Sequence, residues 1–338
     1  MKNDLVKVFF GVTFFKTLIV FAQETKKVEL QPAIVNDKTF ETVLVADDSN
    51  LLGKEVESYV KFLASDTLEG RDTGSKGLAD AAKYVEDVFK KNHVSPYFDS
   101  YQDIFDVSGI ATQNVVGYLK GNDPELAKEF VILGAHYDHI GTAKKVGDDT
   151  IANGANDNAA GSAAVIALAK YFSEKQTNKR SMLFVLFGAE EKGLLGSKHL
   201  SKKLKEKGID LYTMVNFEMI GVPLEGKSHK AYITGYETSN MAAKLNEYAG
   251  QELIGFLPKA KAFNLFKRSD NYPFYQEFDV PCQTISTFDF TNYAYYHHVD
   301  DEASELDFSH MADLIHDCAV AIEGLVNAET KEIILNKE

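Results

Sequence analysis

Cysteine and positive charge are the scarce components of this 338-residue chain, and several familiar catalytic signatures are missing altogether. There are two cysteines, Cys282 and Cys318, and no CxxC, so thiolate zinc sites and thioredoxin-like redox motifs have no support. Cys282 sits in the apolar run 280–285 and Cys318 in a helical pattern. Both read as small buried hydrophobes, with a disulfide between them left open for an oxidising compartment. Basic residues number 36 against 50 acidic, a formal net charge of −14. A chain so poor in lysine and arginine lacks the basic face that nucleic acid requires, so no nucleic-acid partner is expected. The same balance fits a protein that holds cations, and equally plain solubility. The helix-borne zinc protease patterns HExxH and HxxEH are absent, as is the GxSxG elbow. The glycine-rich loop at 68–77 (LEGRDTGSKG) lacks the Gly-Lys-Ser/Thr ending of a phosphate loop.

Long apolar runs are scarce too. The first 22 residues carry Lys2 and Lys7, apolar stretches at 8–15 and 17–22, and Val20-Phe21-Ala22 ahead of Gln23, the layout of a cleavable secretory signal. Lys16 breaks the stretch, which falls short of the ~20 residues of a membrane span, and no later segment approaches that length. The expected organisation is a signal peptide at 1–22, a polar linker or extension at 23–50, and one domain at 51–338. No cysteine lies near the cleavage point to carry a lipid anchor. The mature protein is therefore expected to be exported, periplasmic or secreted, without stable membrane insertion.

From residue 51 onward hydrophobic periodicity organises the chain. Val56, Tyr59, Val60 and Leu63 fall at helical spacing, and so do Ala81, Ala82, Tyr84, Val85, Val88 and Phe89. Residues 107–119 read as a hairpin or paired strands, with a turn at 122–124. Strands are expected at 130–135, 181–188, 213–219 and 280–287. They alternate with helices at 159–172, 194–207, 240–251 and 308–327. This alternation implies an α/β fold, a three-layer sandwich whose central mixed, largely parallel sheet has helices on both faces. Ligands of such sheets bind beyond the carboxyl ends of the strands.

Those ends are where the chemistry-bearing residues fall. The run 131–135 stops at His136, with Asp138 two residues on, and His139 adjoins them as a supporting or merely packed residue. A metal-bound imidazole gives its other N–H to an oxygen, a role open to Asp138. Asp157 lies in a small-residue loop before a helix, where it could bridge two cations or cap the helix. Glu190 and Glu191 follow a core strand. Burying two adjacent carboxylates is costly without cations, and at a bend both can reach one cavity, with one binding metal while the other acts as a base. Glu218 ends a further apolar strand and wants a cation, an arginine or a buried hydrogen bond. Adjacent His297 and His298 precede Asp300, Asp301 and Glu302. The polar loop Arg268-Ser269-Asp270 could contact substrate or cap a helix.

In order along the chain, GAHYDHIG, NGANDNAAGSAAV, LFGAEEKGLLGS, VNFEMIG, KRSDNYPF and YHHVDDEASELD resemble the co-catalytic zinc aminopeptidases, the family that also holds glutamate carboxypeptidase II, the glutaminyl cyclases and the transferrin receptor. The likeness runs from about residue 51 to 326 and implies a zinc exopeptidase-like domain holding two zinc ions, with cobalt or manganese as substitutes. Residue by residue it implies His136 and Glu218 on one metal, Glu191 and His297 on the other, and Asp157 bridging them. Glu218 stands where the family usually has aspartate. Glu190 would be the general base, Asp138 and Asp301 supporting residues, and Tyr296 a candidate oxyanion donor. The implied activity is removal of N-terminal residues from peptides. A carboxypeptidase or dipeptidase of the same family is the alternative. A glutaminyl cyclase, whose relatives use tryptophans that this chain lacks, and a non-catalytic binding module are further ones. The sequence specifies neither a preferred substrate residue nor an oligomeric state.

Overall fold

The computed structural model describes residues 45–337, and the side chains from residue 52. The expected signal peptide and nearly all of the expected linker lie outside the described residues. Chain order begins with helices α1 (Val45–Leu63) and α2 (Lys76–Lys91), then strands β1 (Ser95–Pro96), β2 (Gln102–Val107), β3 (Ile110–Leu119), β4 (Glu129–His136), β5 (Thr142–Val146) and β6 (Asp149–Ile151). It continues with α3 (Ala160–Lys175), β7 (Ser181–Phe187), α4 (Leu195–Glu206), β8 (Asp210–Glu218), β9 (Ala231–Ile233), α5 (Met241–Ala249) and β10 (Ile254–Gly255). The last elements are α6 (Pro258–Ala262), α7 (Asn271–Phe278), β11 (Cys282–Ser286) and α8 (Phe308–Asn327). Helix α1 thus starts inside the segment expected to be linker.

Nine of the described strands form one sheet in the order β1-β3-β7-β4-β8-β11-β9-β10, with β2 paired to β3. The centre, β7-β4-β8-β11, is parallel. On one side β3 joins antiparallel to β7, and on the other β9 joins antiparallel to β11. The sheet is therefore mixed with a parallel heart, as the alternating pattern implies. Parallel strands are apolar on both faces because helices cover both. In β4, Val131, Leu133 and Ala135 point into a core with residues of α1, α2, α3 and α8, while Ile132 points the other way, to Leu200 and Leu204 of α4 and Phe274 of α7. The period-2 alternation of a strand makes three layers out of one apolar run. Cys318 belongs to the first core and Cys282 to the second, both as buried free thiols.

Two local features bring the helical layer close to the sheet at the site. Gly161 opens α3 with its Cα so near β8 that a Cβ there would lie 2.5 Å from Phe217 O. Three non-glycine residues with left-handed φ, Ala189 (57°), Met219 (47°) and His297 (54°), sit beside or within the chemical segments. Such positions are uncommon for residues with a Cβ, and they cluster where backbone direction must change abruptly.

Candidate active site

His136 is the last residue of β4, and its ring is buried. Its Nδ1 lies 3.1 Å from the main-chain carbonyl of Asp138, the acceptor that fixes the ring. Its Nε2 faces Glu218 Oε1 at 3.0 Å and Asp157 Oδ1 at 3.3 Å. The Asp138 carboxylate does a different job from the one expected. It is 3.8 Å from His136 Nδ1 and accepts from the backbone N–H groups of Glu190 (3.0 Å) and Glu191 (3.3 Å). Together with the left-handed Ala189, it turns the chain after β7 so that both glutamates line one cleft.

Asp157 is not a helix cap. Its own backbone is non-helical (φ −110°, ψ 89°), and Asn158 does the capping, with Oδ1 accepting from Gly161 N at 3.0 Å and Met219 N at 3.1 Å. The Asp157 carboxylate is thereby free to point one oxygen to each side: Oδ1 to His136, and Oδ2 to His297 Nε2 at 3.2 Å. Asp301 holds this loop from below rather than touching His297. Its Oδ1 accepts from Asn156 N (2.7 Å) and the Tyr293 hydroxyl (2.6 Å), and its Oδ2 from Asp157 N (3.0 Å).

His297 Nε2 also stands 3.1 Å from Glu191 Oε1. His298 is turned away, its Nδ1 accepting from Asp300 N. His139, expected to be supporting or merely packed, lies inside the cluster: its Nδ1 is 3.0 Å from Glu191 Oε1 and 3.8 Å from Asp157 Oδ2. It lies in the same segment as His136, three residues on, and spacing alone does not say which way its ring faces. Only the fold of the 137–141 turn shows where the ring goes.

Of the Arg268-Ser269-Asp270 loop, Arg268 and Ser269 line the cleft. Ser269 Oγ donates to Glu218 Oε2 at 2.8 Å and accepts from Asn216 Nδ2 at 2.9 Å, so it orients the glutamate. Asp270 is fully buried and is not among the cleft-lining residues, which removes it from direct substrate contact. Tyr296 lines the cleft, its ring stacked on His297 at 4.0 Å and on Phe288 at 5.8 Å. Sequence reasoning missed the apolar wall of the cleft, lined by Leu265, Phe288, Phe290 and Tyr232.

The electrostatics are those of an acidic site. Burial opposes a charge on His136, but the Glu218 and Glu190 carboxylates outweigh it and push its pKa well above the ordinary range. Burial likewise opposes His297, which Asp157 and Glu191 raise to about 10. Burial, reinforced by Asp270, Glu218 and Glu191 around it, pushes Glu190 well above a normal carboxylate. Burial raises Asp138 to about 6 and Asp270 to about 7.

Two donor groups emerge, each with its atoms within 4.8 Å of one another: His139, Asp157, Glu191 and His297 in one, and His136, Asp157 and Glu218 in the other. Asp157 Oδ2 is buried with no hydrogen-bond donor aligned to it. A buried carboxylate oxygen in that condition, amid imidazoles and further carboxylates, fits a cation. Mixed nitrogen and oxygen donors suit zinc, with cobalt and manganese as alternatives.

Residues 114–321 match the Peptidase family M28. The chain is 28% identical over 232 residues to a probable leucine aminopeptidase of Arthroderma benhamiae, covering 64% of this chain and 60% of that protein. It is 29% identical over 168 residues to aminopeptidase YwaD of Bacillus subtilis, covering 49% of this chain and 33% of that one. The chain thus spans less than two thirds of the length of these relatives. The LapA aminopeptidase of Legionella pneumophila superposes with a TM-score of 0.63 at 20% identity, over 87% of this chain and 79% of its own, a likeness of fold.

Proposed function

The chain belongs to peptidase family M28, and from that premise we propose that it is a zinc-dependent aminopeptidase cutting the first peptide bond of substrates with a free N-terminus. One observation carries the reading: two donor groups share Asp157 at the floor of a cleft that Glu190 also lines. His136 and Glu218 would hold one zinc ion, Glu191 and His297 the other, with Asp157 between them. Bound there, the pair would acidify a shared water and polarise the scissile carbonyl. Glu190 would take the proton from water and pass it to the leaving amine. Tyr296 lines the same cleft, and its hydroxyl, with a pKa raised by desolvation and by the surrounding carboxylates, would donate to the carbonyl oxygen. The apolar wall of Leu265, Phe288 and Phe290 would receive an apolar side chain, and the carboxylates around it a cationic α-amine.

Arg268 supports a second reading. A guanidinium on the cleft wall could bind a substrate carboxylate, as a dipeptidase or carboxypeptidase would require. Rates on N-blocked peptides separate the two readings, because an aminopeptidase rejects them. The base assignment is tested by Glu190→Gln. The variant should keep its zinc and lose ~10²–10⁴-fold in turnover of aminoacyl anilides. Undiminished turnover would overturn the assignment.

A further inference from the structure

The two donor groups are unequal, and the inequality comes from His139. This residue is fully buried, and its orientation is enforced from several directions. Its backbone N–H donates to Arg71 O at 3.2 Å. The buried Arg71 guanidinium in turn donates to Tyr137 O (2.7 Å), Asn153 O (2.7 Å) and Gly154 O (3.0 Å), tying the segment that carries His139 to the loop that carries Asp157. Gly154, at φ 58°, passes so close that a Cβ there would lie 2.6 Å from His139 Cγ. On the other side the ring meets His297 edge-on at 5.5 Å. The imidazole has no alternative place to go, and its Nδ1 is aimed at Glu191 Oε1 and Asp157 Oδ2.

We propose that His139 Nδ1 is a fourth protein donor to the metal held by Glu191, His297 and Asp157, beside the shared water. The His136–Asp157–Glu218 site then has three protein donors and is the weaker of the two. The separations support this. Zinc with bonds of 2.0–2.1 Å to four tetrahedral donors has donor–donor edges of ~3.3 Å. Here His139 Nδ1 to Glu191 Oε1 is 3.0 Å, His297 Nε2 to Glu191 Oε1 is 3.1 Å, His297 Nε2 to Asp157 Oδ2 is 3.2 Å and His139 Nδ1 to Asp157 Oδ2 is 3.8 Å. Asp157 Oδ2, buried and without an aligned donor, completes the donor set. His136, Asp157 and Glu218 all line the cleft, whereas His139 approaches from behind it and does not. Asp157 and Glu191 face the cleft as well, so the difference between the groups is in number, four protein donors against three. The rival role for Nδ1 is to donate a hydrogen bond to Glu191, which would make His139 a positioning residue only.

The inference rests on the metallopeptidase reading but can fail separately from it. Zinc titration of the metal-free protein against a competing chelator should show one tight and one weaker site. His139→Ala should weaken the tight site by more than the ~10–100-fold typical of losing a hydrogen-bonding partner of a ligand, while the weaker site persists. His139→Asn keeps a hydrogen-bond donor at the δ position without imidazole nitrogen ligation, and should be as defective as His139→Ala. Cobalt loaded into the tight site should change its absorption spectrum in both variants, because an imidazole nitrogen is lost from its donors. Recovery of tight binding in His139→Asn, or a loss below 100-fold in His139→Ala, overturns ligation. Two sites with this signature in a protein that cleaves no peptide would sink the proposed function and leave His139 standing. An active enzyme with two equal, His139-independent sites would do the reverse.

Discussion

Asp138 and Asp301 are both carboxylates two to four residues past a histidine, and each acts on backbone instead of on imidazole. Asp138 receives the N–H groups of Glu190 and Glu191, and Asp301 those of Asn156 and Asp157. The sequence offers residue type and spacing. A hydrogen bond also needs direction, and direction depended on the left-handed turns at Ala189 and His297. At this scale Asp301→Asn is informative. An amide can accept on one atom only, so an NH₂ group would oppose a backbone N–H of the Asp157 loop. Losing a charge-assisted bond of this kind costs ~1.5–3 kcal/mol, and Asp157 would lose its fixed position between the two donor groups. Zinc content should fall together with the denaturation midpoint. Full zinc occupancy in a fully stable Asp301→Asn protein would show that the loop needs no such anchor.

Elements were legible where their signal is local. Helix α8 spans the residues its periodicity predicts, with Asp307 capping it through His310 N, and the central strands β4, β7, β8 and β11 lie within a few residues of their apolar runs. The short strands β1, β9 and β10 were not read, because two or three residues carry no period and their pairing partners are distant in sequence. The ribbon β5–β6 was missed for a related reason: it is mostly exposed and has no apolar alternation. The site was legible as a set of segments because three of its ligands, His136, Glu191 and Glu218, end or follow core strands. His139 was not, since its orientation depends on Arg71 and Gly154 in other segments. A junction at the opposite end of the sheet tests the element scale independently of the site. Arg180, with a side chain wholly buried, pairs with Glu129 at 2.7 Å, donates to the carbonyl of Ala328 just past α8, and stacks over Tyr212 at 4.8 Å. Glu129→Ala would strand that charge where β4, β7 and α8 meet. The expected cost is on the order of 2–3 kcal/mol, below the ~3–5 of a fully buried pair because Glu129 retains contact with water. Urea denaturation should show it, with zinc content unchanged. An unshifted midpoint would mean that the junction contributes little.

For the molecule as a whole, the site is a stress that cations relieve, and this gives stability a pH dependence of definite sign. Burial raises the carboxyls of Asp138, to about 6, and of Asp270, to about 7, above their unfolded values, and it lifts Glu190 in the same direction. A carboxyl with a raised folded pKa keeps its proton in the folded state over a range where the unfolded chain has lost it. The folded protein then binds more protons than the unfolded one, and stability falls as pH rises through that window. His297, raised to about 10, acts in the same sense above pH 6.5. Asp157 is lowered, and its stabilising contribution is already complete by pH 5. The chelated protein should therefore lose stability between pH 5 and pH 8. Zinc changes with pH in the opposite direction, because its ligands must be deprotonated to bind it. At a hundredfold excess over Kd each bound ion adds ~2.7 kcal/mol. Two ions on a domain of this size then correspond to a Tm shift on the order of 10 °C. The expected outcome is a gap in Tm between zinc-loaded and chelated protein that is small at pH 5 and widens toward pH 8, with Glu190→Gln preserving a gap of the same sign. Scanning calorimetry at four pH values measures it. A gap that narrows as pH rises would contradict the view that the buried carboxylates and imidazoles are gathered around cations.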